Sequence, residues 1–243
     1  MIRLMVTSRT YRQSSIASAD LLARDPQNRE LTRASRWRLD AEFVRDNALS
    51  ISGLVVQKIG GPSVKPYQPA GYWENLNFPA REWANDAGEI QWRRGLYTWW
   101  QRSYVHPAML AFDAPTREEC SADRVRSNIP QQALVLLNDP EYVEAARAFA
   151  ARILKEGGAT PEARIAWAWR EATGRAAKPA EIAALRSLLD RQRAALDQNA
   201  AAGSEIIKVG ISPAPPEISR IDLAAYTAVA RAILNLHETV TRL

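Results

Sequence analysis

Cysteine is nearly absent from this chain. There is one, Cys120, in 243 residues, so no internal disulfide can form. No Cys-x-x-Cys-His is present to hold a c-type haem by thioether bonds, and no cofactor is expected in the chain. Histidine is almost as scarce. His106 and His237 lie far apart and neither has a second ligand at helical i, i+4 spacing, so no transition-metal site is expected. A calcium site of carboxylates and carbonyls needs no fixed motif and stays open. No apolar run approaches the ~18–20 residues that span a bilayer. The N-terminus carries Arg3, Arg9 and Arg12 but no signal-peptide core. Gly60-Gly61-Pro62-Ser63 lacks the P-loop lysine and dinucleotide spacing and reads as a helix stop and turn. No Gly-x-Ser-x-Gly elbow marks a nucleophilic serine. Cys120 would act as a nucleophile only if His106 reached it; a buried, inert thiol is the preferred reading.

What is present is an ordinary globular balance. Hydrophobic residues make up 47% and charged residues 24%, which allows a sizeable core and argues against global disorder. The 32 basic residues outnumber the 27 acids by five, and 27 of the 32 are arginine. Arginine forms bidentate pairs with carboxylates, so the bias fits internal ion pairs as readily as a polyanionic partner. The basic residues are interspersed with acids rather than massed in runs, a pattern that argues against nucleic acid.

The periodicity predicts a mainly α fold: an irregular multi-helix domain over residues 1–243, with a long Pro/Trp-rich loop segment and at most a short β-hairpin. Residues 1–58 read as helix, loop, helix. Val44, Ala48, Ile51 and Val55 share one face, with Ser35 as a start signal and Gly60-Gly61-Pro62 as the stop. Residues 59–128 hold Pro62, Pro66, Pro69, Pro79, Pro107 and Pro115, a density that helices do not survive. Ile90, Trp92 and Leu96 to Trp100 have β propensity and suggest the hairpin. Residues 129–243 read as successive helices. Pro130 is at a first turn with Asn128 as its cap, Thr160-Pro161-Glu162 and Pro179 with Glu181 start further helices, and Gly157-Gly158 and Gly174 end two of them. Residues 203–217 read as a connector. The last helix shows Tyr226, Val229, Ile233, Leu236 and Val240 on one face, with His237 at the surface or a cap.

The most suggestive polar cluster runs from Phe112 to Asp139. Arg117, Arg124, Arg126, Asn128 and Gln131 gather beside a helix N-terminus, a combination that can hold an anionic group. Asp113 and Glu118 are the carboxylates able to do acid/base work on a sugar. Tyr97 and Trp99 offer rings that stack on sugar faces if exposed and fill core if buried. The same groups also make sense as a buried network fixing the loop onto the helices.

Several stretches together resemble a known family. They are Leu4 to Ser15 (Leu-Met-Val-Thr-Ser-Arg-Thr-Tyr-Arg-Gln-Ser-Ser), Gly60 to Val64 with Pro66-Tyr67-Gln68-Pro69, and Arg94-Gly95-Leu96-Tyr97-Thr98. Phe112-Asp113-Ala114-Pro115 with Arg117-Glu118, Asn128 to Asp139, and Ala230 to Leu236 complete the set. The chain resembles the planctomycete-specific domain of unknown function at the C-terminus of large secreted proteins that carry a planctomycete cytochrome c domain. Where that family commonly has Thr-Pro-Leu-Gln-Ala-Leu, this chain has Ile129-Pro130-Gln131-Gln132-Ala133-Leu134. The family usually begins further upstream, so the chain is expected to start inside it. The resemblance implies an extracytoplasmic setting and a c-type cytochrome domain as neighbour, and it supplies no catalytic residues. The functional expectation is a binding or interaction module, with polysaccharide as the candidate ligand. The alternatives are a carboxylate-based hydrolase or lyase acting on a polysaccharide, with Arg117 and Arg126 orienting an anionic group, and a purely structural domain.

Overall fold

The computed structural model describes residues 1–69, 71–73, 82–102 and 104–242. Among them are ten α-helices and one two-stranded sheet. The helices are α1 (Ile2–Val6), α2 (Ala19–Arg24), α3 (Ala41–Ser52), α4 (Pro107–Leu110), α5 (Pro130–Asn138), α6 (Pro140–Glu156), α7 (Pro161–Thr173), α8 (Pro179–Gln198), α9 (Ala200–Ile207) and α10 (Arg220–Leu234). The strands are β1 (Trp37–Arg38) and β2 (Thr241–Arg242), antiparallel, with Trp37 opposite Arg242 and Arg38 opposite Thr241.

The centre is the pair α6 and α10. Ala145, Ala146 and Ala150 on α6, and Ala224, Ala225 and Ala230 on α10, are all buried, and such short side chains let two helix backbones approach closely. Tyr142, Phe149 and Ile153 on α6 and Leu223, Tyr226, Val229 and Ile233 on α10 fill the remaining space. Helix α3 packs on one flank of α6 through Val44, Ala48 and Ile51, while α8 and α9 pack on α10.

Helix boundaries follow local chemistry. Asp139 has extended backbone and accepts the Glu141 N–H at 3.0 Å, so α5 and α6 meet at a capping aspartate followed by Pro140. Thr160 caps α7 through the Ala163 N–H at 3.2 Å, and Gly174, at φ +75°, ends it. The Glu181 carboxylate accepts the Lys178 N–H at 2.6 Å at the start of α8.

Several sequence expectations are corrected. Helix α3 starts after Asp40 rather than at Ser35, and it stops at Gly53, whose φ of +79° closes it, well before Gly60. Val55 therefore lies beyond the helix. The Asn128 side chain does not cap α5; Ile129 precedes Pro130 with no side-chain cap. The expected hairpin around 90–100 is replaced by two 3-10 turns, Gly88–Trp92 and Gly95–Tyr97. Single parallel bridges tie Val56 to Arg93 and Val64 to Thr98. Within the Pro-rich segment α4 forms, because Pro107 sits at its first position, where a missing N–H costs nothing. The expected connector after 203 contains the end of α9, with Gly203 pressed against Leu196 and Ala224. Helix α10 ends at Leu234, and Leu236 and Val240 flank a separate 3-10 turn, His237–Thr239. Cys120 is exposed, not buried. Pro79 lies outside the described residues.

Candidate functional site

Three arginines of the predicted cluster converge on the start of α3. Arg124 donates to Glu42 at 2.8 and 3.3 Å and lies 3.8 Å from Asp40. Arg126 reaches Asp40 at 3.3 Å, and Arg117 reaches Glu42 at 3.5 Å while lying 3.8 Å over the Trp100 ring. Burial pushes the Glu42 carboxyl up, but the Arg124 hydrogen bond and the charges of Arg124 and Arg117 outweigh it and hold the group below its ordinary value. These guanidinium groups thus face carboxylates of the chain itself. The crevice between Arg38, Asp40, Asp113, Arg124 and Arg126 has no room for a water molecule.

The two predicted carboxylates are not equivalent. Asp113, at φ +61°, accepts the Ser127 N–H at 2.7 Å and the Ser127 hydroxyl at 2.9 Å. This closes the loop between them. Glu118 is exposed, and its only hydrogen bond among the described residues is from its own N–H to the Thr116 hydroxyl, at 3.4 Å. Gln131 is exposed on α5. Tyr97 and Trp99 lie elsewhere, in the irregular segment. Tyr97 accepts the Gly60 N–H at 2.7 Å and lies under the Arg93 guanidinium. Trp99 packs with Trp73 and Trp83 at 6.2 and 5.6 Å between ring centroids, and the Lys65 ammonium sits 4.9 Å from its ring.

Asn128 borders an open groove of about 350 Å³. Arg38 spans one side, donating to Asn128 Oδ1 at 2.9 Å and to Gln132 Oε1. Gln132 Nε2 in turn donates to the Ser127 hydroxyl at 3.2 Å, linking the groove to Asp113. Asn235 and His237 line the groove from beyond α10, over Phe112, Leu136 and Val240. His237 Nε2 lies 3.2 Å from the Thr241 hydroxyl. Arg38 and the Asn235–His237 pair are not legible as groove residues in the sequence, because they lie about 90 residues before and about 100 residues after the 128–136 stretch they join. Gln132 is the local signal, since it lies within the 112–139 polar stretch.

The most perturbed titratable groups are sealed inside. Arg45 is 1% exposed; its Nε donates to Glu141 at 2.6 Å and its Nη groups to the carbonyls of Gln91, at 2.6 Å, and Arg93. Beside it, burial and the Glu141 charge push the Asp139 carboxyl up to about 7. Burial pushes His106 down to about 4, and its Nε2 lies 2.9 Å from the Tyr67 carbonyl. A third interior carboxylate, Glu144, accepts from the Tyr67 hydroxyl, from Trp92 Nε1 at 3.1 Å, and from the backbone N–H groups of Ile211 and Ser212 at 2.8 and 2.6 Å. Perturbed groups of this kind often mark catalysis, but here Asp139 caps α6, His106 ties two parts of the irregular segment together, and Arg45 with Glu141 and Glu144 fastens that segment and the 210–212 turn onto α6. Among the described residues no three His, Cys, Asp or Glu side chains are grouped to hold a metal ion. Among the described residues no helix is long and apolar enough to cross a membrane.

Fold and site together define a mainly α-helical domain whose proline-rich middle is held to the helices by buried arginine and carboxylate networks, with polar grooves left at its surface. A family model described as PSD1, a protein of unknown function (DUF1553), matches residues 1–189, and the chain belongs to that family. No curated protein and no solved structure matches it.

Proposed function

We propose that the chain is a carbohydrate-binding module of an extracytoplasmic protein that works beside a c-type cytochrome domain. The observation that carries the binding part is the groove of about 350 Å³ bordered by Arg38, Asn128, Asn235 and His237. Its volume lies within the roughly 300–1,000 Å³ of small-ligand sites. The Asn128 amide nitrogen, the Asn235 side chain and His237 Nδ1 make no hydrogen bond among the described residues. They are the donors and acceptors that sugar hydroxyls need, above the apolar floor of Phe112, Leu136 and Val240. The engagement of Asp113 by Ser127, and of the arginines by Asp40 and Glu42, favours binding over carboxylate catalysis. The extracytoplasmic and cytochrome setting rests on the family resemblance.

The test is a glycan array with the purified chain, followed by thermal shift. A bound glycan should raise Tm, and Asn235→Ala with His237→Ala should reduce the rise while leaving helicity unchanged. A folded chain that binds no glycan refutes the proposal.

A further inference from the structure

The excess positive charge is not spread along the chain. Residues 1–38 hold eight arginines and no lysine against three acids, which accounts for the whole net charge of +5; the remaining residues carry 24 basic and 24 acidic groups. Two of the three acids are already engaged. Asp25 accepts the Arg29 and Glu30 N–H groups, both at 2.8 Å, and Glu30 pairs with Arg24 at 3.3 Å. The interspersion seen residue by residue therefore hides a strongly basic N-terminal region.

Two arginines, Arg33 and Arg242, line a single groove of about 350 Å³ in that region. Arg33 is held by a turn built on Asn28, whose φ is +51°; the Asn28 side chain donates to the Arg33 carbonyl at 2.8 Å and accepts its N–H at 3.3 Å. Arg33 Nη2 donates to the Pro26 carbonyl at 2.9 Å, while Nη1 is shielded from water and has no hydrogen-bond partner. A charged donor left in that state is costly unless an acceptor arrives. Arg242 is fixed differently. Its guanidinium lies over the Tyr11 ring at 5.2 Å and over the Trp37 ring at 5.0 Å, and Trp37 is its partner across the β1–β2 ribbon. Stacking uses the guanidinium faces. Its N–H edges have no acceptor among the described residues. Gln13, Asn28 and Ser35 line the same groove and add amide and hydroxyl groups.

We propose that this groove binds the oxyanion of an acidic sugar, a uronate carboxylate or a sulfate ester carried on a polysaccharide. This rests on the carbohydrate-binding reading and names its ligand class. Planar guanidinium groups match carboxylate and sulfate with paired N–H···O bonds, and two of them in one groove fix both charge and orientation. Nucleic acid fits less well, because single strands need free aromatic faces for base stacking, and Tyr11 and Trp37 both carry Arg242. The ribbon separates this groove from the one beside α5. Trp37 and Arg242 line the first and Arg38 lines the second, so neighbouring residues of one strand serve two sites.

The experiment measures binding of the full chain to polygalacturonate, dextran sulfate, neutral dextran and a DNA duplex, at low and high salt. Arg242→Gln and Arg33→Gln are compared with Arg191→Gln, an exposed arginine on α8. Arg242→Gln is the decisive variant, since the Arg242 side chain makes no hydrogen bond among the described residues and the substitution keeps the backbone of the ribbon; circular dichroism checks that each variant is folded. One or both acidic glycans should bind, and each groove variant should weaken binding roughly tenfold to a hundredfold, as expected for lost charged hydrogen bonds. Arg191→Gln should leave it unchanged, and high salt should weaken it. Equal loss in Arg191→Gln overturns the site, as does DNA binding as tightly as the glycans. Binding of neutral dextran alone, independent of both arginines, overturns this inference but keeps the carbohydrate reading. No binding to any glycan overturns both.

Discussion

Replacing Arg45 by alanine leaves the Glu141 carboxylate buried without its cation and leaves the Gln91 and Arg93 carbonyls without their donor. The pair is 2.6 Å apart with both side chains almost wholly enclosed. Breaking a buried ion pair from one side costs about 3–5 kcal/mol, because the remaining charge stays out of water. In a chain of this size that lowers Tm by roughly 6–20 °C. Urea unfolding followed by circular dichroism should show the lower midpoint. Hydrogen exchange should show the larger local effect, loss of protection in the 88–97 turns that Arg45 holds against α3 and α6. A loss below about 1 kcal/mol, with those turns still protected, would refute the reasoning that this arginine fastens the irregular segment.

The Asp139 and His106 titrations oppose each other. Asp139, at about 7 against an ordinary 3.8, contributes stability that is full below about pH 4 and lost as pH rises through 7. His106, at about 4 against 6.5, contributes stability that is present above pH 6.5 and lost as pH falls through 4. Asp139→Asn keeps a capping side chain and should make the urea midpoint rise from pH 4.5 to 6.5 and exceed that of the parent at pH 8. Gly210→Ala should cost roughly 1–3 kcal/mol, because φ is +87° and the added methyl would overlap the Glu144 carboxylate; an unchanged urea midpoint would contradict this. Arg124→Gln should cost under about 1 kcal/mol by the same measurement, since its pairs with Glu42 and Asp40 are partly exposed.

Helical periodicity made the long central helices legible. Tyr142, Phe149 and Ile153 on α6, Ile165 and Trp169 on α7, and Tyr226, Val229 and Ile233 on α10 recur at helical spacing and are all buried. Pro130, Pro161 and Pro179 located three helix starts, with Thr160 and Glu181 capping the second and third. The irregular segment was legible as irregular, but not its organisation, because that depends on contacts between residues far apart. Arg45 binds carbonyls nearly fifty residues away, and Arg38 binds Asn128 ninety residues away. The β1–β2 ribbon has the same character: Trp37–Arg38 pairs with Thr241–Arg242, about two hundred residues on, with no turn between them to announce it. The 112–139 cluster was visible as polar chemistry. Its partners on α3, Asp40 and Glu42, were not, and neither was the shielded nitrogen of Arg33.

Binding of sugar is the central claim, and thermal shift of the folded chain against neutral, uronic and sulfated glycans tests it most directly. A site-specific ligand at a hundred times its Kd stabilises the chain by about 2.7 kcal/mol, a rise in Tm of roughly 5–10 °C. The account predicts that rise with an acidic glycan, and its reduction in Arg242→Gln. A Tm unmoved by every glycan, on a chain with intact helical circular dichroism, would contradict it.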